Sequence, residues 1–101
     1  MAATIEQIRQ AAEDWSIEVT PTGANKIESF RDCLAPGTTV NVTFLPGSDP
    51  MDTIAVAQRL HDDGMKPVPH LATRSLRDAD QLDELLTAFA AKAGVSEVLV
   101  I

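Results

Sequence analysis

Four short strand-like segments, residues 16–20, 39–44, 66–71 and 97–101, alternate with segments of helical period, and this alternation restricts the fold. Strands separated by helices cannot close as hairpins, so they pair in parallel through right-handed crossovers. A helix is predicted ahead of them. Thr4-Ile5-Glu6-Gln7 carries a capping-box pattern, and Ile5, Ile8, Ala12 and Trp15 fall on one helical face. After a turn at Thr22-Gly23, a second helix is expected from Asn25, with Ile27, Phe30 and Leu34 as its apolar stripe and Pro36-Gly37 as its stop. Asp49-Pro50-Met51-Asp52 opens a third helix that turns Ile54, Ala57 and Leu60 inward and ends at Gly64. Asp78 caps a fourth, with Leu82, Leu85, Leu86, Phe89, Ala90 and Ala93 as its stripe and Gly94 as its end. The expected order is an N-terminal helix over 1–15, then β-α-β-α-β-α-β over 16–101, in one domain.

The polarity of the strands narrows the architecture. In Ser16-Ile17-Glu18-Val19-Thr20-Pro21, Ile17 and Val19 share one face and Glu18 lies on the other. Asn41 and Thr43 likewise oppose Val40, Val42 and Phe44. Central strands of a doubly wound sheet read as continuous apolar runs, because helices cover both faces. Half-polar strands fit a (β/α) barrel, whose outer face meets helices and whose lumen takes polar residues near the C-terminal mouth. A complete barrel needs about 250 residues and eight strands, so 101 residues correspond to half of a TIM-type barrel. A small flavodoxin-like domain is the competing fold. A carboxylate directed into a sheet interior is costly unless that interior is a site, which makes Glu18 the leading candidate residue.

Composition excludes several classes of partner. The formal net charge of -7 argues against nucleic acid and anionic membrane. No apolar run approaches the roughly 18 residues of a membrane span, and the first residues lack the pattern of a signal peptide. A single cysteine, Cys33, rules out a disulfide framework and fits a reducing cytoplasm. The expectation is a soluble cytoplasmic protein.

Several segments together resemble the methylenetetrahydrofolate reductase family. Residues 16–21 are similar to its first-strand motif, Ser-x-Glu-x-x-Pro, and Val40-Asn41-Val42-Thr43-Phe44 to its second strand, Val-x-Val-Thr-Tyr. Asp52-Thr53, leading into a helix with Leu60 and Gly64 at its end, looks like the helix entry that follows. Pro69-His70-Leu71 matches the Pro-His-Leu end of the third strand, and Gly94-Val95 before Val98-Leu99-Val100-Ile101 resembles the approach to the fourth. The resemblance implies a (β/α)8 barrel that binds FAD and reduces methylenetetrahydrofolate to methyltetrahydrofolate with NADH or NADPH as reductant. It further implies that Glu18 is the acid that protonates the folate and opens its one-carbon bridge to an iminium. Thr43 and His70 then correspond to flavin contacts at the strand ends. The loop Leu45-Pro46-Gly47-Ser48-Asp49-Pro50 departs from the family's Gly-rich loop, and the family's Arg-Gly-Asp segment would follow the fourth strand.

Each candidate also has a plainer reading. Glu18 could be a solvated carboxylate at a strand end, His70 a satisfied histidine, and Thr43 an ordinary β-branched strand residue. Pro67 and Pro69 fit a central strand poorly, since each removes a ladder donor. His61 is expected to be solvated at a helix C-terminus, and with Asp62 and Asp63 it makes no metal site, because neighbours along a helix point apart. Cys33 is expected to pack as a small residue, and Arg74 and Arg77 to be solvated, with a phosphate contact as their other use. A half-barrel exposes two sheet edges and its lumen. A homo-oligomer or a complementing second half of the barrel is therefore the expected partner. The alternative to an enzyme is a non-catalytic half-barrel or small α/β binding module that self-associates or pairs with a second chain.

Overall fold

A computed structural model describes residues 2–11 and 15–101. It contains a four-stranded parallel sheet in the order β1-β2-β3-β4, formed by β1 (Ser16–Val19), β2 (Thr39–Val42), β3 (Lys66–Leu71) and β4 (Leu99–Val100). The helices are α1 (Ile5–Ala11), α2 (Pro21–Ala24), α3 (Pro50–Asp62) and α4 (Ala79–Ala93), with a 3-10 turn at Thr73–Ser75. Strand order separates the two candidate architectures. A flavodoxin-like sheet places its first strand between the second and third, whereas here β1 is an edge. With no reversal of direction, right-handed crossovers carry the connecting helices to the same face.

That face holds the core. Val40 and Val42 of β2 pack with Ala24, Phe30, Met65, and Val56 and Leu60 of α3. α4 covers α3 in turn, its Phe89 and Ala93 meeting Ile54 and Ala57. The start and stop signals act as expected at both long helices. Asp49 accepts a hydrogen bond from the Met51 N–H, Asp78 accepts one from the Gln81 N–H, and Gly94 closes α4 at φ 58°. A Cβ at Gly94 would lie 2.6 Å from Cε1 of His61, so close approach also requires glycine there. His61 itself is exposed in the last turn of α3.

The prolines of β3 are accommodated by their direction. The Lys66 N–H bonds to the Thr38 carbonyl on the β2 side, so Pro67 and Pro69 turn their missing donors towards β4. There β4 pairs only with His70 and Leu71, past both prolines. The ladder to β2 loses nothing.

The connection from β1 to β2 corrects the sequence reading. No helix runs from Asn25 to Leu34. Thr20 caps Pro21, its hydroxyl accepting from the Gly23 N–H at 2.9 Å, and the resulting α2 stops at Ala24. Turns follow, fastened by side chains of α3. Arg59 donates to the carbonyls of Ala24 (2.8 Å) and Ile27 (2.6 Å), and its guanidinium stacks 5.0 Å from the centre of the Phe30 ring. Asp63 accepts from the Phe30 N–H at 2.9 Å, and Arg31 bonds the Asp62 carbonyl. Ile27, Phe30 and Leu34 still reach the core, but from turns. Cys33, expected to pack inside, is exposed.

The strands are shorter than expected: Thr20, Thr43 and Phe44, and residues 97–98 and 101 fall outside the paired segments. At the N-terminus the capping box forms as expected, with Thr4 N–H to Gln7 Oε1 at 3.0 Å and Gln7 N–H to Thr4 Oγ1 at 3.1 Å. Among the described residues this helix spans Ile5–Ala11, and its apolar side chains there are uncovered: Ile5 is 76% exposed, and Ile8 is exposed too. Ala12 lies outside the described residues, and Trp15 stands beyond the helix, half exposed.

Replacing Arg59 by Met keeps the aliphatic stem and removes both carbonyl bonds. Urea unfolding is expected to show a loss of about 2–3 kcal/mol, the range for hydrogen bonds from a charged donor. An unchanged midpoint would mean that the turns hold without it.

Candidate functional site

Partnered residues of parallel strands present their side chains to one face of the sheet. The register pairs Ser16 with Thr39 and Lys66, and Glu18 with Asn41 and Val68, on the face opposite Val40 and Val42. Alternation carries this face on to Thr43 and His70, one step beyond the Val42–Pro69 pair. The three residues singled out from sequence therefore share a face, with Thr43 and His70 level near the C-terminal ends of their strands. Glu18 lies one strand away from Thr43 and about 7 Å nearer the N-terminal end, from the rise of two residues.

Their surroundings differ. Glu18 is exposed on the edge strand, so the four strands do not bury it as a lumen acid would be buried. Thr43 is half-buried, and its N–H bonds to the Val19 carbonyl at 2.9 Å, extending the join between β1 and β2 by one rung. His70 is half-buried, and its Nε2 is enclosed without a hydrogen-bond partner.

Beside His70 a cavity of about 40 Å³ opens at the C-terminal end of the sheet. Phe44, the first turn of α3 with Thr53, the end of β3 with His70, Leu76, and Gln81 and Phe89 of α4 line it. Two buried side-chain atoms lack partners among the described residues, Thr53 Oγ1 and His70 Nε2, and both residues line this cavity. Thr53 is only 3% exposed. In α/β folds the C-terminal edge of the sheet is where ligands bind, because the strand-to-helix loops and the helix N-termini converge there. Sequence reasoning named His70 but missed Thr53. A threonine in a buried helical stripe carries no signal until the helix is docked.

Among the described residues no group of three or more histidine, cysteine or acidic side chains is placed to hold a metal, and no helix is long and apolar enough to cross a membrane. Arg74 and Arg77 are exposed, as expected. Arg77 is held in place, its backbone N–H bonding Gln81 Oε1 at 2.7 Å and its Nε reaching the same atom at 3.4 Å. No protein-family model matches the chain.

An unpaired buried hydroxyl costs about 1–3 kcal/mol. Thr53→Val, nearly isosteric, is therefore expected to leave the melting temperature unchanged or raise it. A fall of several degrees would show that the hydroxyl is satisfied in solution by a group that stabilises the fold.

Proposed function

We propose that this chain is the first half of a (β/α)8 barrel in a flavin-dependent oxidoreductase similar to methylenetetrahydrofolate reductases, with Glu18 as general acid. The observation that supports this reading is the common face of Glu18, Thr43 and His70 on a sheet whose strands succeed one another without reversal. In a closed barrel that face is the lumen, and the strand ends carrying Thr43 and His70 form its mouth.

The residues present fit an FAD in part. The Thr43 hydroxyl and the His70 imidazole stand near the mouth, the imidazole with its Nε2 enclosed. The 40 Å³ cavity is too small for the cofactor's ring system, so the ring would lie along the open polar face. When bound there, FAD would supply the hydride chemistry, with NADH or NADPH as reductant. Thr43 and His70 would orient it. Glu18 would be the proton donor to the folate, and the further strands of a barrel would shield it from water.

A second reading draws on the same openness. β1 and β4 are both edges, and Ile17, Leu99 and Val100 are exposed beside them. Such a sheet could serve as a non-catalytic module that pairs with another copy or a second chain.

Flavin titration separates the two. The flavoprotein reading expects FAD fluorescence to change saturably when the chain is combined with a polypeptide that completes the barrel, and His70→Ala to weaken that binding about tenfold, the loss of one good hydrogen bond. Absence of any saturable change removes the reading. In the completed protein, Glu18→Gln should lower folate turnover by about 10²–10⁴-fold, the usual contribution of a general acid, and leave flavin reduction by the nicotinamide intact. Equal loss of both activities would deny Glu18 its role.

A further inference from the structure

The two outer strands of the sheet each present an unpaired rung of backbone. The Val19 carbonyl accepts from Thr43 on the β2 side, so Ser16 and Glu18, out of step with Val19, turn their N–H and carbonyl groups to the open edge. At the other end the Ile101 N–H bonds to the Leu71 carbonyl, so the N–H and carbonyl of Val100 face outward. Both edges are also apolar on the face that carries the helices. Ile17 shares that face with Val40, and Val100 shares it with Leu71, and both Ile17 and Val100 are exposed. Beside β1 a groove of about 100 Å³ opens, lined by Ile17, Ile27, Phe30 and Leu34 among others.

A third apolar surface belongs to α1, whose Ile5 and Ile8 are exposed and which buries no residue. In a (β/α)8 barrel the helix ahead of a strand lies outside the seam between that strand and the one before it. α2 and the turns after it, α3 and α4 serve the three seams within this sheet. α1 precedes β1, so its seam is the one between β1 and a strand that the sheet does not itself supply.

We infer that two copies of this chain close into one eight-stranded barrel, β4 of each pairing in parallel with β1 of the other and α1 lying across the seam. Four strands are half of the eight, and four helices are half of the outer ring. A twofold axis along the barrel repeats one seam twice, so a single chain supplies both sides of every contact. Closure removes both edges and brings the α1 stripe, Ile17 and Val100 together under cover. Glu18 then stands at the seam beside β4 of the second copy, and both copies of Glu18, Thr43 and His70 face one lumen. This rests on the half-barrel part of the reading above and needs no flavin.

Sedimentation equilibrium of the full chain over a range of concentrations is the test. A reversible dimer and nothing larger is expected. Glu18→Pro and Val100→Pro each remove an outward N–H and spare the existing ladder, as Pro67 and Pro69 do, and each variant alone is expected to be a folded monomer. Their equimolar mixture should dimerise again, since one seam then carries both substitutions and the other neither. Ile8→Glu should weaken the dimer about tenfold or more, the loss of one buried apolar side chain. It decides the matter if circular dichroism shows a proline variant unfolded, because α1 buries nothing in the single chain. A chain that stays monomeric, an open series of larger oligomers, a proline variant that still dimerises, a mixture that stays monomeric, or an unchanged Ile8→Glu dimer overturns the inference. Flavin binding with a different second half is measured separately, so a monomeric chain leaves the flavoprotein reading standing.

Discussion

Arg59 holds the first crossover of this fold in place. A βαβ crossover ordinarily covers its strands with a helix whose carbonyls are satisfied internally. Here the helix stops at Ala24, and the guanidinium of Arg59 takes the carbonyls of Ala24 and Ile27 instead, while lying over the Phe30 ring. Asp63, four residues further on, takes the Phe30 N–H. Phe30 and Leu34 are delivered to the core by these tertiary bonds, and the Val40–Val42 face of β2 is covered without a long α2. β1, and with it Glu18, leads into that tethered connection and is held at the sheet edge by its pairing with β2.

α3 consequently has two duties. Its C-terminal half fastens the β1–β2 connection, and its apolar stripe packs on the sheet and on α4. Layering on a single face follows from the strand order, and it leaves the opposite face, with Glu18, Asn41, Thr43 and His70, without a helical cover. On that face Glu18 is exposed and hydrated, Asn41, Thr43 and His70 are half-buried, and Val68 is buried. The same polar residues enclosed in a lumen would each need a partner. The polarity of this face therefore suits both an open sheet and a barrel mouth built around a ligand.

His70 stands where the polar face of the sheet meets the cavity. Its strand position puts it on the polar face, level with Thr43, while its Nε2 is buried and its neighbourhood includes the cavity wall with Thr53. A fold selected for stability alone would place valine where Thr53 stands, since the hydroxyl finds no bond in the protein. Local costs of this kind are characteristic of ligand sites.

The sequence by itself determined the parallel α/β order, the caps at Thr4, Asp49 and Asp78, the stop at Gly94 and the polarity of each strand. These rest on contacts within a few residues, so a linear reading reaches them. Tertiary structure decided the rest. That Glu18, Thr43 and His70 share a face was decided by the pairing register, which a one-residue slip would reverse and which no single strand displays. The stripe of Ile27, Phe30 and Leu34 reads as a helix, but hydrogen bonds from residues more than 30 positions away hold it in turns. The prolines of β3 read as breakers, and only the side on which each neighbour pairs makes them harmless. The exposure of Glu18, the burial of Thr53 and the cavity they do not share arise from how helices and strands dock. Docking is set by long-range packing, which no local pattern in the chain encodes.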